Sequence, residues 1–176
     1  MNPKIRHYEE STIVDISPMR LFAYVDDHAR FASHMNSSSW MMGRGHMNTQ
    51  VDTGRGQRVG SHIQMDGKIL GINLYLDEVV TQYEPPYLKI WKTVGDINLL
   101  IIGHYQMGFK IEEERGKSLF TVFINYKLPQ YIGTRWLGYL LGGVYAKWCV
   151  RQMLSGPTKY FNHNNERQNY GTQSSR

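Results

Sequence analysis

Apolar and polar positions alternate with a period of two through most of residues 46–128, a pattern that predicts strands. Met47, Thr49 and Val51 share one face. Val59, Ser61, Ile63 and Met65 share the next, after the turn Thr53-Gly54-Arg55-Gly56. Asp66-Gly67 reads as a hairpin turn. Leu70, Ile72, Leu74 and Leu76 then alternate with Ile69, Gly71, Asn73 and Tyr75 until Pro85-Pro86, which cannot donate to a ladder, ends the strand. Tyr87–Val94 follows, with Tyr87, Lys89, Trp91 and Thr93 opposing Leu88, Ile90, Lys92 and Val94. Parity alone leaves open which set faces inward, and a β-bulge would turn Trp91 to the core. On Leu99–Ile111 one face is Leu99, Ile101, Gly103, Tyr105, Met107, Phe109 and Ile111. On Leu119–Leu128 it is Phe120, Val122, Ile124, Tyr126 and Leu128.

The flanks change period. A first strand over Tyr8–Ile16 leads to Ser17-Pro18, an N-cap followed by proline at the first helical turn. Leu21, Phe22 and Val25 recur at helical spacing behind it, and a second short helix is expected over Asp26–His34, its acids at the positive end. After Pro129 comes the longest helical candidate, Tyr139–Asn162, roughly 36 Å at 1.5 Å per residue. Trp136–Ala146 is apolar nearly all round, which predicts burial on more than one side. Residues 1–162 therefore read as one domain, and 163–176, made of Asn, Gln, Ser and charge, as a flexible polar tail. A sheet with one apolar face must cover it, and the terminal helix is the element long enough to do so. One helix cannot fill the whole concavity of six consecutive antiparallel strands, so a cavity is expected between sheet and helix.

Composition narrows the classes. The chain has 176 residues and a single cysteine, Cys149, which excludes a disulfide framework and a cysteine-rich zinc site. No apolar run follows the N-terminal charges and no stretch reaches the about 20 residues of a membrane span, so a cytoplasmic protein is expected. The net charge of +5 is uneven: residues 1–126 carry 13 basic and 14 acidic side chains, and the rest carry 7 against 1. These basic residues are spaced rather than clustered, so no nucleic-acid partner is expected. Peripheral contact with an anionic membrane stays open, and the oligomeric state is undetermined by sequence.

The order of elements resembles that of the START-like superfamily, also called SRPBCC or polyketide cyclase/dehydrase-like. The residues that carry the resemblance are Ile16-Ser17-Pro18 with Phe22-Ala23-Tyr24-Val25 and Asp27, then Val59-Gly60-Ser61 into Gly67, Pro85-Pro86, and Tyr145-Ala146-Lys147-Trp148-Cys149. It implies an α+β helix-grip fold: a curved seven-stranded antiparallel sheet wrapped on a long C-terminal helix, with two short helices after strand 1. It also implies an elongated, mostly apolar pocket between sheet and helix. No catalytic motif is shared across the superfamily, so none is carried over.

Candidate chemistry is sparse. His28 and His34 lack the i, i+4 spacing of a zinc-binding helix, and His46, His62 and His104 fall on faces opposite the apolar rows, so no metal and no cofactor are expected. Asp26/Asp27 are explained by a helix start, and Asp77/Glu78 by solvated strand ends. Cys149, mid-helix, reads as a small buried hydrophobe. Gly142-Gly143 reads as close approach of the helix backbone to another surface.

The inward polar groups Thr49, Ser61, Tyr105 and Tyr126 carry more information, because a few donors placed in an apolar cavity fix a ligand's orientation. With Met65, Leu74, Trp91, Met107, Tyr145, Trp148 and Met153 they form the expected ligand-binding set. Met35, Trp40, Met41 and Met42 bracket the loop where the resemblance places a pocket entrance. The expected function is binding or carriage of a hydrophobic or amphipathic small molecule such as a lipid, quinone, isoprenoid or polyketide. The alternatives are a polyketide aromatase/cyclase using the same cavity, or a protein- or membrane-interaction module.

Overall fold

The structure, a computed structural model, describes residues 4–27, 46–69, 72–129 and 132–173. Its elements are β1 (Arg6–Val14), α1 (Pro18–Val25), β2 (His46–Val51), β3 (His62–Ile69), β4 (Ile72–Glu84), β5 (Leu88–Asn98), β6 (Tyr105–Glu114), β7 (Lys117–Tyr126) and α2 (Ile132–Gln173). Seven strands form one sheet in the order β1-β7-β6-β5-β4-β3-β2, every neighbouring pair antiparallel. Strands β2 to β7 run as a meander, and β1 closes on β7 from the other end of the chain. The second short helix expected over 26–34 and the entrance residues Met35, Trp40, Met41 and Met42 lie outside the described residues.

The period-two reading holds on most strands. Phe120, Val122, Ile124 and Tyr126 of β7 are buried, as are Met107, Phe109 and Ile111 of β6. Between them the turn Arg115-Gly116 has φ of 53° and 79°, the left-handed pair that matches hairpin twist. Leu21, Phe22, Tyr24 and Val25 of α1 bury against this face, with Phe22 edge-on to Phe109 at 5.6 Å.

Four local expectations are corrected. Asp66-Gly67 does not turn: Asp66 pairs with Tyr75 and Gly67 with Leu74 inside the ladder, and pairing runs to Ile69↔Ile72. The strand expected from Leu99 begins at Tyr105, because residues 99–104 leave the ladder and bury Ile102 instead of Ile101. Val59 and Ser61 precede β3 and belong to the β2–β3 connection, where Val59 is exposed. The expectation that Trp136–Ala146 is buried on more than one side fails: Trp136, Tyr139, Leu140, Leu141 and Val144 are exposed.

Helix α2 starts earlier and ends later than the expected 139–162, and its 42 residues span about 63 Å. It packs chiefly on β1 and β7 and also meets α1, so it crosses one side of the sheet's concave face. Ala146, Cys149, Val150, Met153 and Leu154 are its buried side. The glycines allow the close approach that their sequence suggests. A Cβ on Gly138 would sit 2.5 Å from Pro129 Cδ, and one on Gly142 would sit 3.4 Å from Tyr126 Cε2. Arg151 clasps the other flank, donating to Glu10 of β1 at 3.0 Å, while Tyr8 donates to the same oxygen at 2.5 Å.

Candidate functional site

Between the sheet and α2 lies a polar cluster on an apolar floor. Parity on β4 carries Leu74, Leu76, Glu78 and Val80 to the inner face, and all four are buried. The Tyr105 hydroxyl, from the start of β6, donates to Glu78 Oε1 at 2.5 Å. Trp91 of β5 hydrogen-bonds Glu78 as well, and its indole N–H is the only donor that side chain has. Across the interior, Tyr145 of α2 hydrogen-bonds the Cys149 side chain one turn further along. Tyr145 also lies 5.8 Å from the Trp148 ring. Sheet and helix therefore present hydroxyl, indole, thiol and carboxyl groups to a common interior.

Electrostatics single out Glu78. Burial disfavours its charged form and outweighs the Tyr105 and Trp91 donors, pushing its pKa up to about 7. A carboxyl group so poised holds or releases a proton near neutrality. Burial, reinforced by Glu78, drives Tyr105 well above the usual tyrosine range. The neighbouring Cys149, together with burial, does the same to Tyr145. Burial pushes the Cys149 thiol up to about 12, so it is a protonated, unreactive group.

A second buried charge lies further along the same face. Lys89 of β5 is fully buried, its Nζ donating to Asp26 Oδ1 at 2.5 Å, and Tyr83 donates to Asp26 Oδ2 at 2.8 Å. Asp26 stands at the C-cap of α1, and its carboxylate pairs with Lys89. Burial lowers the Lys89 pKa, and Asp26 opposes the shift. Lys89, Trp91 and Thr93 are thus the inward face of β5, which resolves the ambiguous parity in favour of a buried lysine.

The expected ligand-binding residues divide. Met65, Tyr105, Tyr145 and Trp148 are half-buried and pack against the core, while Leu74, Trp91, Met107, Tyr126 and Met153 are fully buried. Thr49 is half-buried on β2 opposite Met65. Ser61 is buried, and its hydroxyl donates to Asp52 and accepts from the Gly56 N–H at 2.7 Å, bracing the β2–β3 connection.

Glu78, Lys89 and Asp26 were not anticipated. The expectation of a solvated charge fails for Glu78 because it shares the buried row of Leu74, Leu76 and Val80 and meets donors from β5 and β6. Continuing the Leu74, Leu76 count by one step would have placed it inward. His104 is half-buried, 3.1 Å from Thr93 Oγ1, not solvent-facing, whereas His62 is exposed beside Asp77 as its parity implies. Among the described residues no three His, Cys, Asp or Glu side chains converge as metal ligands. A separate, half-open cleft of about 300 Å³ lies at the sheet's end, lined by Asp96, Leu99, Ile102, His104, Lys127 and Leu128 among others.

No protein-family model matches the chain, and no curated protein matches it in sequence. Solved structures do match in shape. Ara h 8.0201 superposes with a TM-score of 0.61 at 12% identity, covering 91% of this chain and 99% of that one. Norcoclaurine synthase from Thalictrum flavum, in complex with dopamine and hydroxybenzaldehyde, gives 0.62 at 11% identity over 90% and 87%. The di-domain ARO/CYC StfQ from the steffimycin biosynthetic pathway gives 0.66 at 10% identity, with 92% of this chain on 52% of that protein. This chain thus spans about half of the di-domain protein. The shared architecture is a helix grip, a seven-stranded antiparallel sheet with a long C-terminal helix, as the order of strands and helices implied.

Proposed function

We propose that this protein binds a hydrophobic or amphipathic small molecule between the concave face of the sheet and α2, with Glu78 and Tyr105 as its polar anchor. The observation that carries this reading is the Glu78–Tyr105–Trp91 hydrogen-bonded group, set on an apolar face, with half-buried Met65, Tyr145 and Trp148 packed against the same core. Buried polar atoms on an apolar lining are how small-molecule sites fix orientation. Inward aromatics left part-exposed give a ligand area to cover, at ~25 cal/mol per Å². Fold likeness to a norcoclaurine synthase solved with dopamine and hydroxybenzaldehyde, and to an ARO/CYC protein, supports a small-molecule occupant, for which we propose the lipid, quinone, isoprenoid or polyketide classes. Thr49, Leu74, Met107, Tyr126 and Met153 complete the proposed lining, and the cytoplasm is the proposed compartment.

Native mass spectrometry of gently purified protein, followed by titration with an apolar fluorophore, tests the reading. A bound apolar species, and a weaker fluorophore affinity in Tyr105→Phe, are expected. Absence of both a co-purified species and fluorophore binding would remove it.

Glu78 also favours a second reading, an enzyme of the aromatase/cyclase type. A carboxyl group with a pKa near 7 that touches a tyrosine hydroxyl can shuttle a proton on a substrate held by shape alone. Under this reading Glu78→Gln abolishes turnover of a polyketide-like substrate while leaving its binding intact. Retained turnover would exclude it.

A further inference from the structure

The N-terminal half of α2 presents an apolar stripe to solvent. Trp136, Tyr139, Leu140 and Val144 are 59%, 57%, 68% and 58% exposed. Trp136, Leu140 and Val144 recur every four residues on one side of the helix, with Tyr139 at the stripe's edge toward the side that Gly138, Gly142 and Ala146 bury. Continued by the same steps, the stripe passes Gly143 and reaches Lys147 and Arg151, both exposed. Arg6 of β1 adds a further cation, 5.2 Å from the centre of the Tyr139 ring. The stripe is therefore aromatic and aliphatic at one end and basic at the other. It lies on the segment that carries the chain's excess positive charge, 7 basic residues against 1 acid from Lys127 onward.

We infer that this face docks on an anionic lipid bilayer, lying in the interface without crossing it. Trp and Tyr are the side chains that settle at headgroup depth, and leucine and valine between them add apolar area to bury. Lys147 and Arg6 then meet lipid phosphates, an attraction that falls off within about a Debye length, while Arg151 stays paired with Glu10. No described helix is long and apolar enough to cross a membrane, which is consistent with a surface mode. A second copy of the chain suits the stripe less well. The acid beside its basic end, Glu10, already accepts from Arg151 and has no charge to spare for a partner's cations.

Flotation with neutral phosphatidylcholine vesicles and with vesicles containing added phosphatidylglycerol tests the inference. Binding is expected on the anionic vesicles only, and it should weaken as salt rises. The double variant Trp136→Ser/Leu140→Ser should lower it by about tenfold or more. Lys147→Glu should lower it several-fold, and its exposed position makes it a control against misfolding, read by circular dichroism. No flotation on anionic vesicles at low salt would overturn the inference. So would a concentration-dependent dimer of the wild type that Trp136→Ser/Leu140→Ser abolishes, since the stripe would then be a self-interface.

Discussion

Two charged side chains are buried on the same sheet face, and they are treated in opposite ways. Lys89 meets a carboxylate directly, and Tyr83 occupies that carboxylate's other oxygen, so every charge in the group has a partner. Glu78 has donors but, among the described residues, no cation in contact, and its pKa rises to about 7. The first arrangement is what a chain requires to keep an ion in its core: removing either partner strands a charge. The second leaves an acid near the midpoint between two protonation states, the poise that the proposed ligand anchor or proton transfer would use. The difference distinguishes the post that pins α1 to β5 from the group that equips the interior.

The largest effect expected from that contrast falls on the pinned pair. Asp26→Ala leaves Lys89 buried and alone and should cost about 3–5 kcal/mol, read as a lower denaturant midpoint. The paired change Lys89→Met/Asp26→Asn should recover most of that loss. If Asp26→Ala proves harmless, the two charges are not different in kind.

Glu78→Gln should act with the opposite sign. The folded pKa of about 7 lies above the ordinary value of 4.5, so the folded protein holds a proton that the unfolded chain has lost. Wild-type stability should therefore fall as pH rises from 4.5 to about 7, by up to about 3 kcal/mol, and level off above. Glu78→Gln should flatten that slope and be the more stable form above neutrality. Unfolding curves across this range would show it, and an unchanged slope would refute the assignment.

Tyr105→Phe removes a donor to the ionised carboxylate. It should cost about 1–3 kcal/mol above neutrality, less in acid, and move the Glu78 titration higher still. The carboxyl signal of Glu78 in an NMR titration would report it. The smallest effect concerns Cys149, whose thiol is held at about 12. Alkylation of the folded protein at neutral pH should be negligible and should appear only with denaturant; rapid labelling would mean that the interior is open at α2.

The sheet was legible because alternation is written locally. Phe120, Val122, Ile124 and Tyr126 declare their face within seven residues, and Pro85-Pro86 and Ser17-Pro18 mark ends by what proline cannot donate. Tyr105 was legible as an inward group by the same counting, and Tyr145 and Trp148 were expected on the helix wall, whereas the facing of Trp91 stayed open. Their partner was not legible: Glu78 carries the right parity, but a charge beside Asp77 reads as solvated until the Tyr105 and Trp91 donors that face it in space are known. Lys89 was hidden further, because only the position of Asp26, more than sixty residues earlier, makes a lysine acceptable in the core.

The sequence by itself determined the period, the order of elements, the prolines and glycines that end or thin them, and the uneven charge, since each depends on neighbours along the chain. Tertiary structure alone decided which side of β5 faces inward, that Glu78 is buried among hydroxyls, and that Trp136 to Val144 meet solvent. Burial and ion pairing depend on what lies opposite in space, and hydrophobicity along the chain does not say whether anything is there to cover it.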